Sequence, residues 1–469
     1  MNGSGGSIIR VMSKDSPKVK TESRRQFLRR AAGGTLAVAG LPQIVPSSVL
    51  GLNGATAPSN RVTVAMIGTG NQGTNDMKAF LRDERVQVIA VCDVNKRGPG
   101  YWNGKIAGRE PARELVEKFY GEKTASGTYH CDTHRDFRDV LERTDVDAVE
   151  IATPDHWHAI PTIMAAKAGK DIYCQKPLAL TVAEGRAMSN AVSRYQRVFQ
   201  TGSQQRSDRR FRHACELVRN GRIGRLVEVE CGLPGGRPDF GKNGHRKSPE
   251  PVPAGFDFDF WLGPAPEVAY APARVGVNFR WIYDYSGGQV TDWGGHHPDI
   301  AQWGMGTTYT GPVAIKNAKG VWEDDELWNT ATEYSFEAHY QSGAVLKISD
   351  KFKMGVKFIG TDAWVHVSRG SIDASNKDLL EETFGQGEIR LPASENHFRN
   401  FIDCVLSRAE PVAPVEQAHR SISICHLGNI AMLLGRDLAW DPEREQVIGD
   451  HSAHSMLNRP YRAPWVLPS

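Results

Sequence analysis

A glycine-rich turn and an acidic residue beyond it can together bind a dinucleotide. Gly68, Gly70 and Gly73 have the spacing G-x-G-x-x-G, between a β-branched run and a helical pattern. Glycines at this spacing allow a tight turn, close approach of the backbone to a pyrophosphate, and packing of helix on strand. Asp93 follows the next predicted strand, where a carboxylate binds ribose hydroxyls and repels a 2′-phosphate. The predicted cofactor is NAD rather than NADP, although the nearby Arg97 weakens that preference. The predicted contacts with the cofactor are Gly68, Thr69, Gly70, Asn71, Gln72, Gly73 and Asp93.

A second group of residues can transfer protons. Asp292 and His296 are four residues apart, so on a helix their side chains share a face. A carboxylate so placed orients the imidazole and raises its basicity, which allows His296 to accept a proton from a substrate hydroxyl. Lys176, predicted at a strand end, can hydrogen-bond the same oxygen. The alternative is a metal site, because Asp292, His296, His297 and Asp299 are residue types that bind zinc or manganese.

The elements that position these groups begin with a strand–helix alternation, which predicts a parallel, doubly wound α/β sheet. Strands are predicted at 61–67, 86–92, 148–152, 171–175 and 198–201, with helices at 110–119, at 160–168 and after a capping box at Thr181 and Glu184. Ligands of such sheets bind at the carboxyl ends of the strands. The glycine turn, Asp93, residues 153–158 and Lys176 all fall at such ends.

After residue 203 the pattern changes to that of an α+β domain with an open, mostly antiparallel sheet. Helices are predicted at 209–220, 397–406 and 419–434, and strands at 226–231, 331–340, 345–349 and 364–367. The predicted domains are a Rossmann domain at 58–203, a substrate-binding domain at 204–440 and a C-terminal extension at 441–469.

At this point the sequence resembles the glucose–fructose oxidoreductase/inositol dehydrogenase family, Gfo/Idh/MocA. The motifs that carry the resemblance are Gly68–Gly73, Thr153-Pro154 with His158, Lys176-Pro177, and the run from Gly287-Gly288 through Asp292, Gly294 and His296 to Asp299. The resemblance covers about residues 60–440 and implies NAD(P), polyhydroxylated sugar-like substrates and homo-oligomers formed through the second sheet. Two departures are Gln175, where the family has Glu, and the second histidine, His297.

The resemblance implies roles for particular residues. Lys176, Asp292 and His296 become the catalytic set without a metal, and Thr153, Pro154 and His158 lie against the cofactor. An arginine and aromatic cluster before the glycine pair suits gripping and stacking on a sugar. The predicted substrate contacts are Arg280, Tyr283, Tyr285 and His297.

The first 57 residues predict an export signal. Residues 23–29, S-R-R-Q-F-L-R, resemble the twin-arginine motif, and residues 31–60 contain no charged residue. Residues 55–57, A-T-A, form a candidate cleavage site. The twin-arginine machinery carries folded proteins with their cofactors, so the sequence predicts a periplasmic or otherwise exported protein.

Composition excludes several classes of protein. The 469 residues are 40% hydrophobic and 24% charged, which is ordinary for globular domains. A mean hydropathy of −0.43 and the lack of a 20-residue apolar run argue against a stable membrane span. Residues 1–57 carry eight Lys or Arg and two Asp or Glu, so the rest of the chain has a net charge of −3 and offers no basic surface for nucleic acid. The seven cysteines lack C-x-x-C spacing and are predicted to be buried thiols.

Three functions remain open on the sequence. The favoured one is an NAD-dependent dehydrogenase that acts on a sugar or glycoside and keeps its cofactor bound. The second is an NAD-dependent glycoside hydrolase like the α-N-acetylgalactosaminidases of the family, in which oxidation at carbon 3 precedes elimination. The third, a sugar-sensing or scaffolding protein that keeps NAD only structurally, becomes attractive only if Lys176 and His296 fail to converge on the nicotinamide.

Overall fold

Six parallel strands form the first sheet of the computed structural model, which describes residues 61–124 and 126–469. The strand order is β3-β2-β1-β4-β5-β6, and the order reverses between β1 and β4, where the two halves of the sheet diverge. The strands are β1 (Val62–Ile67), β2 (Val86–Cys92), β3 (Asp132–His134), β4 (Ala148–Ile151), β5 (Asp171–Cys174) and β6 (Phe199–Thr201). This is the predicted Rossmann sheet. The predicted leader at 1–57 lies outside the described residues.

The helices of this half follow the strands. They are α1 (Asn71–Phe80), α2 (Arg109–Gly121), α3 (Phe137–Leu141), α4 (Ala159–Lys167) and α5 (Val182–Arg194). The capping box predicted for α5 is present, with the Thr181 side chain accepting from the Glu184 backbone and the Glu184 side chain from the Thr181 backbone. α1 begins directly at the glycine turn, so its N-terminus points to the carboxyl ends of the strands.

A nine-stranded mixed sheet dominates the second half. Its strands are β7 (Leu226–Gly232), β8 (Ala314–Val321), β9 (Glu333–His339), β10 (Val345–Ser349), β11 (Gly355–Gly360), β12 (Trp364–Ser368), β13 (Ser371–Ala374), β14 (Leu438–Asp441) and β15 (Gln446–Ile448). The order is β13-β12-β11-β7-β10-β9-β8-β14-β15. Only β7 and β10 pair in parallel among these described strands, so the sheet is mostly antiparallel, as predicted.

One face of this sheet is covered by helices and the other carries charge. The helices of this half are α6 (Arg209–Arg219), α7 (Phe258–Leu262), α8 (Gln289–Asp292), α9 (His297–Met305), α10 (His397–Ser407), α11 (Val415–Leu434) and α12 (His451–Ser455). Phe336 and Leu346 point into the core beneath them, whereas Lys347 pairs with Glu228 at 2.6 Å on the opposite face. Alternation of this kind is typical of an antiparallel sheet with one buried face.

The region predicted as a C-terminal extension is joined to the second sheet and to earlier loops. β14 pairs with β8 and with β15. The Trp465 ring packs edge-on against Trp157 at 4.8 Å, and Arg462 donates to the backbone carbonyl of Gly263. All seven cysteines are free and buried, as predicted. Within residues 61–124 and 126–469, no helix is long and apolar enough to cross a membrane.

Candidate active site

Most of the predicted site residues line one large cavity at the carboxyl ends of the parallel strands. Its volume is about 1080 Å³, at the upper end of the range for ligand sites. Both halves of the chain contribute to its wall. The predicted residues that line it are Gly68, Gly70, Asn71, Gln72, Asp93, Thr153, Pro154, Lys176, Arg280, Asp292 and His296. Lys176 and His296 therefore line the same cavity.

The glycine turn leaves room for a ligand only because its residues lack side chains. Gly68 has a φ of +91°, and a Cβ there would lie 2.7 Å from the backbone of Ala152 and Thr153. A Cβ at Gly73 would lie 1.9 Å from the Gly68 carbonyl oxygen, so this glycine lets α1 pack against the turn. Gly70 caps α1 without a side-chain hydrogen bond, and the buried Asn71 Nδ2 has no partner. Free donors at a helix N-terminus suit a pyrophosphate, so these residues fit a dinucleotide.

Asp93 is bound to the glycine turn itself. Its Oδ2 accepts hydrogen bonds from the Thr69 backbone N at 2.8 Å and from Thr69 Oγ1 at 3.1 Å. Its Oδ1 accepts from the Asn95 backbone at 2.8 Å. Arg97 points elsewhere and pairs with Glu114 at 2.5 Å. Asp93 therefore sets the shape of the turn and presents a carboxylate to the cavity.

The cofactor preference can be tested through this carboxylate. If the dinucleotide binds as the glycine motif predicts, a 2′-phosphate would meet the like charge of Asp93 at a cost of about 1–3 kcal/mol, so the wild-type protein should bind NAD about tenfold to a hundredfold more tightly than NADP. Asp93→Asn keeps the shape of the side chain and should narrow that ratio in fluorescence titrations. Glu333→Gln, which removes an exposed carboxylate outside the cavity, is the control. Equal affinities of the wild-type protein for both dinucleotides would contradict this role of Asp93.

Lys176 and Asp292 form an ion pair across the cavity. Lys176 Nζ donates to Asp292 Oδ1 at 2.7 Å and to the Asp292 carbonyl oxygen at 3.2 Å. Arg280 Nε lies 3.5 Å from the same Oδ1. Burial alone would raise the pKa of Asp292, but Lys176 and Arg280 outweigh it and hold that pKa well below its usual range. Asp292 is therefore ionised, and Lys176 is fixed by it at the end of β5.

His296 occupies a different position relative to Asp292 from the one the spacing predicts. The two residues lie on separate helices, since α8 ends at Asp292 and His296 caps α9. The Asp292 carboxylate binds Lys176, and His296 Nδ1 is buried without a hydrogen-bond partner. Burial, together with the positive charges of Lys176 and Arg369, keeps the pKa of His296 well below its usual range. The imidazole is therefore neutral and has a free nitrogen.

The four predicted substrate contacts separate in the structure. Arg280 lines the cavity. His297 points to the second sheet, where its Nδ1 lies 2.8 Å from the Gly232 carbonyl oxygen. Tyr285 is fully buried and packs edge-on against Trp261, and the Tyr283 ring lies 4.0 Å beneath the Arg459 guanidinium. Among the described residues, Arg280 is thus the one member of this set that the fold brings to the cavity wall.

Residues after β4 divide between lining the cavity and supporting it. Thr153 and Pro154 line it, and Thr153 Oγ1 is buried without a partner. His158 lies behind them, with Nδ1 2.7 Å from the Pro177 carbonyl and Nε2 2.9 Å from the Thr153 carbonyl. His158 therefore links the ends of β4 and β5 and is placed to position Thr153 rather than to touch a ligand.

The replacement of the family's Glu by Gln175 has a structural reason. Gln175 Nε2 donates to Asp76 Oδ2 at 2.6 Å, and Gln72 Nε2 donates to Asp76 Oδ1 at 2.7 Å. Glu150 is buried beside them, and burial raises the pKa of Asp76 to about 6. A glutamate at position 175 would add a third carboxyl group to this pair, whereas the amide donates to Asp76.

Among the cavity residues that escaped the sequence analysis, two carry charge close to the predicted catalytic residues. Asp155 follows β4, its Oδ2 accepts a 2.6 Å hydrogen bond from Ser286 Oγ, and burial raises its pKa to about 7. Arg369 comes from the turn between β12 and β13 and stacks over the Trp293 indole at 4.7 Å. Asp155 could have been predicted as a cavity residue because it follows the end of a parallel strand. For Arg369 no local pattern in the sequence indicates contact with the cavity.

The alternative metal set is dispersed. Asp299 is buried in an ion pair with Arg206, whose Nε lies 2.6 Å from Asp299 Oδ2. His297 faces the second sheet, and Asp292 binds Lys176. In the part of the chain that the structure describes, no three His, Cys, Asp or Glu residues are grouped as metal ligands would be.

A Rossmann sheet that carries a glycine turn and Lys176, followed by an α/β domain that supplies Asp292 and His296 to the same cavity, is the architecture of a dinucleotide-binding oxidoreductase family. Family models agree with this class. Residues 62–203 match the NAD-binding Rossmann fold of the oxidoreductase family, and residues 212–467 match its C-terminal alpha/beta domain. The chain belongs to the Gfo/Idh/MocA oxidoreductase family, and its N-terminal half is the NAD-binding domain.

Individual relatives are distant. An α-N-acetylgalactosaminidase of Shewanella oneidensis is 28% identical over 187 residues, 40% of this chain and 38% of that protein. A 2,7-anhydro-N-acetylneuraminate hydratase of Mediterraneibacter gnavus is 27% identical over 166 residues, 35% of this chain and 38% of that protein. The chain thus spans under half the length of these curated relatives.

The fold also matches solved structures. The WlbA dehydrogenase of Bordetella pertussis, crystallised with NADH and UDP-GlcNAcA, superposes with a TM-score of 0.58 at 16% identity, covering 81% of this chain and 99% of that one. At this level of identity the match concerns the fold.

Proposed function

We propose that this protein is an exported oxidoreductase that oxidises a secondary hydroxyl of a sugar or glycoside with a tightly held NAD. The observation that carries the proposal is the meeting of Lys176, Asp292 and His296 at the carboxyl ends of the NAD-binding sheet. These are the residue types that deprotonate a hydroxyl and stabilise the developing charge on its oxygen.

The residues divide the chemistry between them. NAD, when bound, supplies the acceptor for a hydride from the carbon that carries the hydroxyl. The Nδ1 of His296 is buried without a hydrogen-bond partner among the described residues, and in this proposal the imidazole accepts the hydroxyl proton. Lys176 donates a hydrogen bond to the same oxygen, and Asp292 fixes the ammonium group at 2.7 Å. Gly68–Gly73 and Asp93 hold the dinucleotide, so binding and chemistry use different residues.

Sugar oxidation can be tested on the protein as purified. The full chain, without added cofactor, is mixed with a panel of aldoses, polyols and aryl glycosides, and the bound nicotinamide is followed by absorbance. We expect one stereochemical group of sugars to reduce it in a single turnover and a keto sugar to form. No reduction by any member of the panel, with NAD present in the protein, would contradict the proposal.

The covering segment, residues 97–108, supports tight retention of the cofactor. Trp102 in this segment stacks on Phe240 at 4.2 Å, and its backbone N donates to Asn71 Oδ1 at 2.9 Å. Tyr101 packs against Gly70, where a Cβ would lie 2.8 Å from its ring. Val277 N donates to the Gly100 carbonyl, so the segment is tied to the second half of the chain across the glycine turn. An exported protein has no free NAD pool to draw on, so the hydride must return within the site.

Removing the Trp102 ring should accelerate cofactor loss. A stacked aromatic pair contributes about 0.5–1.5 kcal/mol beyond its buried area, so Trp102→Ala should raise the NAD dissociation rate about threefold to tenfold. The measurement is release of NAD from purified protein during dilution and filtration. Trp322→Ala removes an exposed tryptophan outside the cavity and is the control. Wild-type protein that is isolated empty and works only with millimolar added cofactor would contradict retention.

Export rests on the leader motif. Arg24→Lys with Arg25→Lys should leave precursor in the cytoplasm, because the twin-arginine machinery reads the arginine pair and not charge alone. Cell fractionation and immunoblotting measure the effect, and Arg10→Lys is the control outside the motif. Normal export and processing of the double variant would exclude the twin-arginine route.

A second candidate function is redox-assisted cleavage of a glycoside, and Asp155 favours it. Oxidation at carbon 3 acidifies the neighbouring C–H, after which a base takes that proton, the group on carbon 1 leaves, water adds and the hydride returns. The carboxyl group of Asp155 lines the cavity with a pKa raised to about 7 by burial, which suits proton transfer near neutral pH. Release of an aryl group without net reduction of NAD, lost in Asp155→Asn, would establish this function. Asp155→Asn that keeps full release would exclude Asp155 from it.

A further inference from the structure

Arg369 presents a guanidinium group to the cavity without a carboxylate partner of its own. It lies in the turn between β12 and β13 with Gly370, and both residues line the cavity. The guanidinium stacks over the Trp293 indole at 4.7 Å, which holds it on the segment between Asp292 and His296. Within residues 61–124 and 126–469 it forms no ion pair.

The other arginines of the cavity wall each have an acidic neighbour. Arg210 pairs with Asp208 at 2.9 Å, and Arg135 lies 3.3 Å from Asp257. The carboxylates of these pairs, Asp208 and Asp257, do not belong to the group formed by Lys176, Asp292 and His296. Arg369 differs from them because the closest acidic residue that acts on it electrostatically is Asp292, which is already bound to Lys176.

The catalytic end of the cavity therefore holds an excess of positive charge. Lys176, Arg280 and Arg369 stand against the ionised Asp292 and against Asp155, whose pKa of about 7 leaves it only partly charged at neutral pH. Lys176 and Arg280 are mostly buried whereas Arg369 is exposed to solvent, and an anion that enters the cavity meets all three positive groups.

Unpartnered polar atoms in the same wall are an independent sign of a ligand. Arg280 Nε is buried and has no hydrogen-bond partner, since its 3.5 Å approach to Asp292 is an ion-pair contact. Gln289, which also lines the cavity, has a buried and unpartnered Oε1. Buried donors and acceptors of this kind are normally satisfied, so a bound molecule completes them.

We propose that the substrate sugar carries an anionic group, a carboxylate or a phosphate, which Arg369 and Arg280 bind at the His296 end of the cavity. This inference rests on the proposed function and narrows its substrate class to acidic sugars. Arginine suits the task because its planar donors match the oxygens of both anions.

The test compares matched sugars on the full chain with its cofactor bound. Methyl hexosides of gluco, galacto and manno configuration are each compared with the hexuronide and the 6-phosphate of the same configuration. Binding is measured by calorimetry and hydride transfer by absorbance of the bound nicotinamide. We expect the acidic member of at least one series to bind about tenfold or more tightly than its neutral counterpart. Whichever of the hexuronide and the 6-phosphate binds more tightly identifies the anion.

Arg369→Gln should remove that preference and bring the acidic and neutral members within about threefold of each other. Arg225→Gln, an exposed arginine outside the cavity, is the control and should retain it. Neutral sugars that bind as tightly as acidic ones in every series, or an Arg369→Gln variant that weakens all sugars alike, would overturn the proposal.

The two readouts separate this proposal from the proposed function. Arg369-dependent binding of acidic sugars without reduction of NAD would support the acidic substrate class and contradict the oxidoreductase activity. Reduction of NAD by neutral sugars, without a preference for acidic ones, would support the oxidoreductase activity and contradict the acidic substrate class.

Discussion

His296→Ala is expected to transfer hydride about 10²–10⁴-fold more slowly than the wild-type protein, because a positioned base usually contributes that factor. His296 lines the cavity with an unpartnered Nδ1, and its pKa lies well below the usual range. It therefore remains uncharged throughout the neutral range of pH. The measurement is the single-turnover reduction of bound NAD by the best sugar of the panel, with NAD content determined for each variant.

The adjacent histidine provides the control for this prediction. His297 is also buried, but its Nδ1 bonds to the Gly232 carbonyl and it lies outside the cavity wall. His297→Ala should therefore lower the melting temperature and leave the rate of hydride transfer nearly unchanged. If His297→Ala proves the slower enzyme, His297 is the base. If neither substitution changes the rate, proton transfer by this segment is the wrong mechanism.

The parallel sheet could be predicted because each of its longer strands is a buried apolar run that ends at a turn or a chemical motif. β3 escaped prediction because its three residues, D-T-H, are all half-buried and give no hydrophobic signal. β8 escaped for another reason, since its register shifts between Lys316 and Lys319 and the shift breaks the two-residue alternation. β8 is therefore stabilised by its pairing with β9 and not by a regular apolar face of its own.

The site was predictable where a local pattern reflects a backbone requirement, as at Gly68 and Gly73. It was not predictable where the direction of a side chain depends on the fold. His296 and His297 are the same residue type, and only the helix start between them turns one to the cavity and the other to β7. Asp292 was expected to contact His296, but a break between α8 and α9 separates them and Lys176 takes the carboxylate. Arg369 reaches the cavity through pairing of β12 with β13, which brings distant residues together.

Lys176→Met is expected to retain NAD and to lose about 10²–10³-fold in hydride transfer, the usual effect of removing one donor to a developing negative charge. It should also lose stability. Lys176 is the nearest cation to Asp292, and the pair is only partly buried. Breaking a fully buried ion pair costs about 3–5 kcal/mol, so the loss here should be smaller, and Arg280 compensates part of it. Turnover, NAD content and the free energy of unfolding are measured on the same preparations.

The double variant Lys176→Met with Asp292→Asn separates the two effects. It removes both charges, so it should recover most of the lost stability but none of the lost rate. Because the pKa of Asp292 in the wild-type protein lies below its usual range, the pair stabilises the protein at pH values above the ordinary carboxyl pKa, and that contribution is lost as the pH falls below this value and through the lowered pKa. The double variant should therefore be less sensitive to acid than the wild-type protein in melting curves. Lys347→Met breaks a surface pair with Glu228 and should change stability by no more than about 1 kcal/mol. A double variant that recovers its rate along with its stability would show that Lys176 serves the fold and not the chemistry.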